Sequence, residues 1–185
     1  MASTAVRLSL LDAVGAIAEA RDATAFGLRL CRELLRLVPG ISTSYNEVNV
    51  LAHRVAGLIY PDPGRDWVAH YLPIFERHLY DNPLARHFTT SGETSMKSWR
   101  DLDPAGKFRQ TPLYQEFFAP NGIHSQAAFL LPAPPGIAVA VALNRGGEDW
   151  SPAERALVAE LQPYLVNLYR LVTRAEAGRA RVTSR

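Results

Sequence analysis

Only one cysteine, Cys31, is present among the 185 residues, so the chain cannot form an internal disulfide bond. No apolar run approaches the ~20 residues that a helix needs to cross a bilayer. The N-terminus also lacks the pattern of a signal peptide, because Asp12 interrupts its first apolar stretch. These absences predict a cytoplasmic protein with no membrane partner.

Motifs for catalysis and for cofactors are missing as well. The sequence has no glycine-rich dinucleotide or phosphate loop, no zinc-protease motif and no nucleophile elbow. Its five histidines show no spacing for a shared metal ion, and Cys31 lies among leucines in a predicted helix, where a buried core thiol is expected. The sequence therefore predicts no cofactor, no metal site and no catalytic residues, and thus a protein that is not an enzyme.

The positive charge is concentrated at the C-terminus. The net charge is +2, but residues 170–185 contain five arginines and one glutamate, so this tail carries +4 and the preceding 169 residues carry −2. A nucleic-acid-binding domain carries its positive charge on a folded face. Since the charge lies on a linker-like tail, the globular part is not expected to bind DNA by itself.

Hydrophobic periodicity predicts an alternation of helices and strands. Apolar residues at helical spacing predict helices at 5–20, 23–37, 66–78 and 111–118, and Asn82-Pro83 marks a further helix start. Alternating segments predict strands at 41–50, 53–60, 93–102, 124–131 and 137–143. A capping box at Ser151 and Glu154 begins a long C-terminal helix. This order predicts the α+β class, with a central antiparallel sheet and flanking helices.

The chain divides into three segments of one compact domain. Residues 1–38 are predicted to form N-terminal helices, residues 39–150 the sheet and its helices, and residues 151–185 the C-terminal helix with its basic linker. The predicted strand at 137–143 alternates bulky residues with alanines, and both of its faces are apolar. Such a strand is expected at the centre of the sheet, covered on both sides.

Two features suggest a binding pocket, and both have simpler explanations. Tyr45, Glu47 and Asn49 share one strand face, which either contacts solvent or belongs to a polar-lined pocket. Ten aromatic residues crowd positions 67–118, where they either fill a core beneath long loops or line a ligand pocket. The predicted ligand-binding residues are Tyr45, Trp67, Tyr71, Trp99, Tyr114, Phe118, His124 and Gln126.

An ordered set of short motifs resembles the N-terminal GAF-like domains of LuxR-family transcription regulators. The set covers about residues 20–175. It comprises Tyr45-Asn46-Glu47-Val48, Asn82-Pro83-Leu84, the segment 112–122, Ala142-Leu143-Asn144-Arg145, Trp150-Ser151-Pro152-Ala153-Glu154-Arg155 and Leu161-Gln162-Pro163-Tyr164-Leu165. One departure is Asn82, where such proteins often carry histidine.

The resemblance implies a GAF-like fold with long terminal helices, and a regulatory role. It implies a small-molecule effector and a LuxR-type helix-turn-helix that would follow this chain and bind DNA. The apolar terminal helices predict a homodimer. Two other functions stay open: a purely structural dimerisation domain without a ligand, and a small enzyme of unrecognised type. Fold resemblance alone cannot identify an effector.

Overall fold

The structure, a computed structural model, describes residues 4–52 and 54–183. The main helices are α1 (Thr4–Ala18), α2 (Ala23–Leu37), α3 (Arg65–Arg77), α4 (Pro83–Ser91), α5 (Trp99–Leu102) and α6 (Pro152–Thr183). Short 3-10 turns lie at Leu79–Asp81 and Lys107–Gln110, and a π-helical turn at Tyr114–Phe118. The strands are β1 (Ser42–Asn49), β2 (Arg54–Tyr60), β3 (Lys97–Ser98), β4 (Ser125–Leu131) and β5 (Ile137–Arg145).

The five strands form one antiparallel sheet in the order β2-β1-β5-β4-β3. This arrangement confirms the predicted α+β class with a central antiparallel sheet and flanking helices. Strand β5, in which bulky residues and alanines alternate, lies in the middle of the sheet, as expected. None of the helices in the described part of the chain is both long and apolar enough to span a membrane.

Helices α1, α2 and α6 cover one face of the sheet. The bulky residues Val139, Val141 and Leu143 of β5 point into this layer, where they are almost fully buried. All three predicted segments of the chain contribute to the same core: Leu10, Ile17, Phe26, Leu30 and Leu34 from the first, Tyr45 and Phe129 from the second, and Val158, Leu161 and Leu165 from the third. Cys31 lies in this core, and burial raises the pKa of its thiol to about 12. The predicted buried core cysteine is confirmed.

The segment 93–102 differs from its predicted strand. Only Lys97 and Ser98 pair with β4, and the chain then turns into α5. The reason is local, since Ser98 and Asp101 form a capping box in which the Ser98 backbone N–H donates to the Asp101 carboxylate at 2.7 Å. At the other edge of the sheet β2 begins at Arg54, and the predicted first strand residue, His53, lies outside the described residues.

The start of α6 is held by the predicted capping box. The Ser151 backbone N–H donates to Glu154 Oε2 at 2.8 Å, and the Glu154 N–H donates to Ser151 Oγ at 3.3 Å. Arg145, at the end of β5, donates to Glu154 Oε1 from Nη2 at 2.6 Å. The Arg145 hydrogen bond and those from Ser151 lower the pKa of Glu154 to about 2, against partial burial. The carboxylate therefore fixes the helix start to the central strand.

This arrangement predicts an acid-dependent loss of stability. The pKa of Glu154 in the folded protein lies below its ordinary value of 4.5. The ionised carboxylate therefore contributes fully to the free energy of unfolding above about pH 4.5, and this contribution is lost as the pH falls towards 2. Glu154→Gln should lower the free energy of unfolding at pH 7 by about 1–3 kcal/mol and flatten its pH dependence below 4.5. Urea unfolding across this pH range measures both effects. Glu160→Gln, at an exposed position of α6, is the control and should change neither.

A second prediction concerns a close approach between β1 and β2. A Cβ at Gly57 would collide with the carbonyl oxygen of Tyr45 on β1, so Gly57→Ala should destabilise the fold by about 1–3 kcal/mol. At Gly15, inside α1, the equivalent position has no atom within 4 Å apart from its chain neighbours and the backbone of its own helix. Gly15→Ala should therefore stabilise the protein by about 0.5–1 kcal/mol. Thermal unfolding of the two variants should show shifts of opposite sign, and equal shifts would show that the close approach at Gly57 has no energetic cost.

Candidate functional site

A cavity of about 140 Å³ separates the second face of the sheet from a layer of helices. Its floor is formed by β1, β2, β4 and β5, and its roof by α3, α4 and the π-helical turn. The alanines of β5 lie on this face, because side chains alternate along a strand and the bulky residues point to the other side. Both faces of β5 are thus covered, as predicted.

The floor consists of four rows of residues that face each other across the strands. The first row is polar, and contains Gln126, Asn144 and Ser42. The second contains Ala128, Ala142, Ser44 and Ile59, and the third Leu130, Ala140, Asn46 and Gly57. The fourth contains Ala138, Val48 and Val55. Successive rows are about 6.7 Å apart. The floor is therefore polar at one end and apolar at the other, and its centre combines the alanines with the polar side chains of Ser44 and Asn46.

Aromatic rings form much of the roof. Phe117 and Phe118 pack edge to face with ring centroids 4.8 Å apart, and Phe75 and Trp67 contact Phe117 at 5.1 and 5.7 Å. The Trp67 indole N–H donates to Asn121 Oδ1 at 2.6 Å, which joins α3 to the turn after the π-helical segment. This network of rings and one hydrogen bond holds the roof above the alanines of the floor.

A chain of hydrogen bonds runs along the polar row. Asn82 Oδ1 accepts from the Trp99 indole N–H at 3.0 Å and from the Leu84 backbone N–H at 3.0 Å. Asn82 Nδ2 then donates to Gln126 Oε1 at 2.8 Å, and Gln126 Nε2 to Asn144 Oδ1 at 2.8 Å. Asn144 Nδ2 donates to Ser42 Oγ at 3.1 Å. We call Trp99, Asn82, Gln126, Asn144 and Ser42 the amide chain.

The direction of the amide chain is fixed at its first member. The Trp99 indole and the Leu84 backbone can only donate, so Asn82 must turn its oxygen towards them. The amide nitrogen of Asn82 then meets Gln126, which must present its oxygen, and the same reasoning orients Asn144. The chain ends on Ser42, whose oxygen accepts and whose hydrogen stays available for donation.

Three of the eight predicted ligand-binding residues line the cavity: Trp67, Phe118 and Gln126. Tyr71 packs beside Trp67, with ring centroids 5.1 Å apart, and belongs to the same apolar cluster. Trp99 contacts the cavity wall indirectly, through Phe118 at 4.8 Å and through the hydrogen bond to Asn82. No observation tests ligand binding by any of the eight, so their role stays a prediction.

The other predicted residues lie elsewhere. Tyr114 is buried beside Trp99, and its hydroxyl lies 2.9 Å from His124 Nδ1. His124 faces a separate polar cleft. Tyr45 belongs to the opposite face of β1, where it packs against Phe26 and Tyr169 and its hydroxyl donates to Glu47 at 3.0 Å. Tyr45 therefore does not line this cavity, because the strand directs that residue towards the helices.

The even-numbered residues of β1 were not identified from the sequence, and they lie on the opposite face of the strand from Tyr45. Ser42, Ser44 and Asn46 line the cavity, as do Asn82 and Asn144. A signal for them was available, since the antiparallel partners of the small face of β5 must face the same side of the sheet. Pairing that alanine face with β1 in the correct register selects the even-numbered residues of β1.

A polar cleft adjoins the far side of Trp99 and reaches α6. Arg155 of α6 donates from Nη1 to Asp101 Oδ2 and from Nη2 to Ser98 Oγ and Asp149 Oδ2, each at 2.8 Å. Partial burial opposes ionisation of Asp101, but the hydrogen bonds from Arg155 and Ser98 still lower the pKa of its carboxyl group. Because Ser98 directly precedes Trp99, this cluster connects the C-terminal helix to the amide chain.

Comparison with solved structures identifies the fold. The VqsR ligand-binding domain from Pseudomonas aeruginosa superposes with a TM-score of 0.69 at 15% identity, over 94% of this chain and 99% of that domain. The fold is GAF-like. The GAF domain of a phosphoenolpyruvate-protein phosphotransferase from Acinetobacter also matches, with a TM-score of 0.63, 9% identity and coverage of 95% and 99% of the two chains.

LuxR-family regulators are among the neighbours of this GAF-like domain. The N-acylhomoserine lactone dependent LuxR family transcription factor CepR2 from Burkholderia cenocepacia has a TM-score of 0.65 and 14% identity, over 95% of this chain and 99% of that one. The predicted GAF-like fold, and its likeness to LuxR-type sensor domains, are confirmed. No protein-family model and no curated protein sequence matches the chain.

The amide chain yields a prediction about stability. Asn82→Ala removes the N-cap of α4, worth about 1 kcal/mol, and leaves the buried Trp99 indole N–H without an acceptor, which costs about 1–3 kcal/mol more. Chemical denaturation should therefore show a loss of about 2–4 kcal/mol. Asn49→Ala, which removes an exposed hydrogen bond to the Ala52 N–H, is the control and should cost less than about 1 kcal/mol.

A double-mutant cycle separates the cap from the indole contact. In the background of Trp99→Phe there is no indole donor to leave unpaired, so Asn82→Ala should cost only the cap and the contact to Gln126. If the two substitutions were additive, the hydrogen bond between Trp99 and Asn82 would contribute nothing.

Proposed function

We propose that this domain is the small-molecule sensor and dimerisation domain of a bacterial transcription regulator of the LuxR type. One observation carries the proposal: a cavity lies between the sheet and the aromatic roof, with an ordered polar row at one end. Ligand sites are concave and mainly apolar, with a few well-placed polar groups. The likeness to the ligand-binding domain of VqsR and to the lactone-dependent regulator CepR2 supports the same role here.

The contacts of Trp99 offer a physical route from the cavity to α6. Trp99 binds Asn82 of the amide chain, and its neighbour Ser98 accepts a hydrogen bond from Arg155 of α6. A ligand that displaces the roof or the polar row would shift Trp99 and hence this contact. The ligand switches the protein only if it binds two arrangements of α6 with different affinity. In this proposal α6 transmits the difference to a LuxR-type DNA-binding domain.

Exposed leucines on the terminal helices support a homodimer. Leu11 of α1 and Leu171 of α6 are 57% and 62% exposed. Helices α1 and α6 contact each other, so both leucines belong to one helical layer. A second copy of the chain that packs its own terminal helices against this layer would bury them in a two-fold interface.

The cavity also supports a binding role rather than an enzymatic one. Among the described residues that line it, none carries an ionisable side chain that could serve as a general acid or base. The competing hypothesis is a dimerisation domain whose cavity binds nothing. A regulator of this kind would act in the cytoplasm, where its DNA target is found.

Native mass spectrometry of the purified chain tests the proposal. The expected spectrum shows a dimer that carries a co-purified small molecule. Ala140→Leu, which places a larger side chain on the cavity floor, should abolish the bound mass but retain the dimer. Ala56→Leu, at an exposed position of β2, should retain both. A dimer that never carries a ligand would support the structural alternative, and a monomer at high concentration would contradict the dimerisation role.

A further inference from the structure

The lining of the cavity restricts the charge of its ligand. In residues 4–52 and 54–183, the side chains that line the cavity include no Asp, Glu, Lys, Arg or His. Burying an ionised group without an opposite charge or a dense set of hydrogen bonds is strongly unfavourable. A carboxylate, phosphate or ammonium group would therefore find no partner on these walls, so the ligand is uncharged.

The direction of the amide chain leaves donors available for a polar group of the ligand. Ser42 Oγ accepts from Asn144, and within the described part of the chain its hydroxyl donates to no protein atom. Each side-chain amide nitrogen of Asn82, Gln126 and Asn144 has two hydrogens and makes one hydrogen bond. The polar row thus offers unused donors, the Ser42 hydroxyl among them, to a ligand that carries an acceptor such as a carbonyl oxygen.

The shape of the cavity restricts the size of the ligand. The methyl groups of Ala128, Ala142 and Ala140 lie on one side, and the rings of Phe117 and Phe118 on the other. An engineered apolar cavity of about 150 Å³ binds benzene. At about 140 Å³, this cavity can enclose a single ring but cannot enclose a long alkyl chain.

Resting on the proposed sensor function, we infer that the ligand is a compact, uncharged ring compound with a carbonyl-type acceptor. The Ser42 hydroxyl donates to this acceptor at the polar row, and the ring lies over Ala142, one row further along the floor. The class of ligand follows from the walls of the cavity.

Four compounds test this class by titration of the ¹⁵N-labelled full chain, followed by NMR. Acetophenone has the ring and the carbonyl oxygen, α-methylstyrene replaces the oxygen by a methylene, benzoate adds a charge, and 2-undecanone adds a long chain. Acetophenone should perturb the amides of residues 42–46 and 140–144 and bind about 2- to 10-fold more tightly than α-methylstyrene, the usual effect of one hydrogen bond. Benzoate and 2-undecanone should leave these amides unchanged.

Two variants locate the hydrogen bond. Ser42→Ala should bring the affinity for acetophenone down to that for α-methylstyrene, without changing the latter. Thr89→Val is the matched control, since the Thr89 hydroxyl also lines the cavity but already donates to the Ala85 carbonyl at 2.8 Å. It should leave the preference for acetophenone intact. Equal binding of acetophenone and α-methylstyrene by the unmodified chain, or a preference that survives Ser42→Ala, would overturn the inference.

The outcomes also separate this inference from the function on which it rests. If benzoate or 2-undecanone bound in the cavity more tightly than acetophenone, the ligand class would be wrong but the sensor function would stand. If none of the four compounds perturbed the cavity amides, the ligand class would be rejected, whereas the sensor function would be rejected only if native mass spectrometry also found no bound small molecule.

Discussion

The side-chain oxygen of Asn82 accepts two hydrogen bonds, and these two bonds fix the orientation of the buried polar network. The Trp99 indole and the Leu84 backbone both donate to Asn82 Oδ1, and neither can act as an acceptor. Asn82 Oδ1 thereby caps the N-terminus of α4 and holds Trp99, the first residue of α5. The amide nitrogen of Asn82 consequently faces the sheet. The polar row follows from this orientation, since Gln126 and Asn144 can satisfy their buried groups in one direction only. A buried polar network is stabilising when every member is paired, and this one ends at the cavity.

The cavity exists because the central strand presents small side chains opposite large, mutually supported ones. Protein interiors are normally close-packed, so a gap beside three alanines of β5 should collapse unless the opposite layer is held in place. Phe118 packs edge to face against both Phe117 and Phe75, Phe75 also contacts Phe117, and Trp67 is hydrogen-bonded to Asn121. The same contacts that hold the roof also join it to Trp99, and through Ser98 and Arg155 to the start of the C-terminal helix.

Much of the fold was predictable, because the relevant signals are local. The apolar stripe of α2 and the two-faced pattern of β5 are periodic patterns within one element, and the capping box of α6 is a fixed spacing of two residues. The strand predicted at 93–102 was not correct, since the capping interaction of Ser98 with Asp101 overrides its β-like composition. Trp67, Phe118 and Gln126 were identified from residue type and do line the cavity. Ser42, Ser44 and Asn82 were not identified, because their position depends on strand register and on a partner 44 residues away in sequence.

Asn82 orients the amide chain and leaves the Ser42 hydroxyl as a free donor at the cavity. Neutron diffraction from deuterium-exchanged crystals of the ligand-free chain tests it directly, because it distinguishes the oxygen from the nitrogen of each amide and locates hydroxyl deuterons. The Asn82 and Gln126 nitrogens are expected to point along the chain towards Ser42, and the Ser42 deuteron into the cavity. A reversed amide at Gln126 or Asn144, or a Ser42 deuteron directed at Asn144, would contradict it.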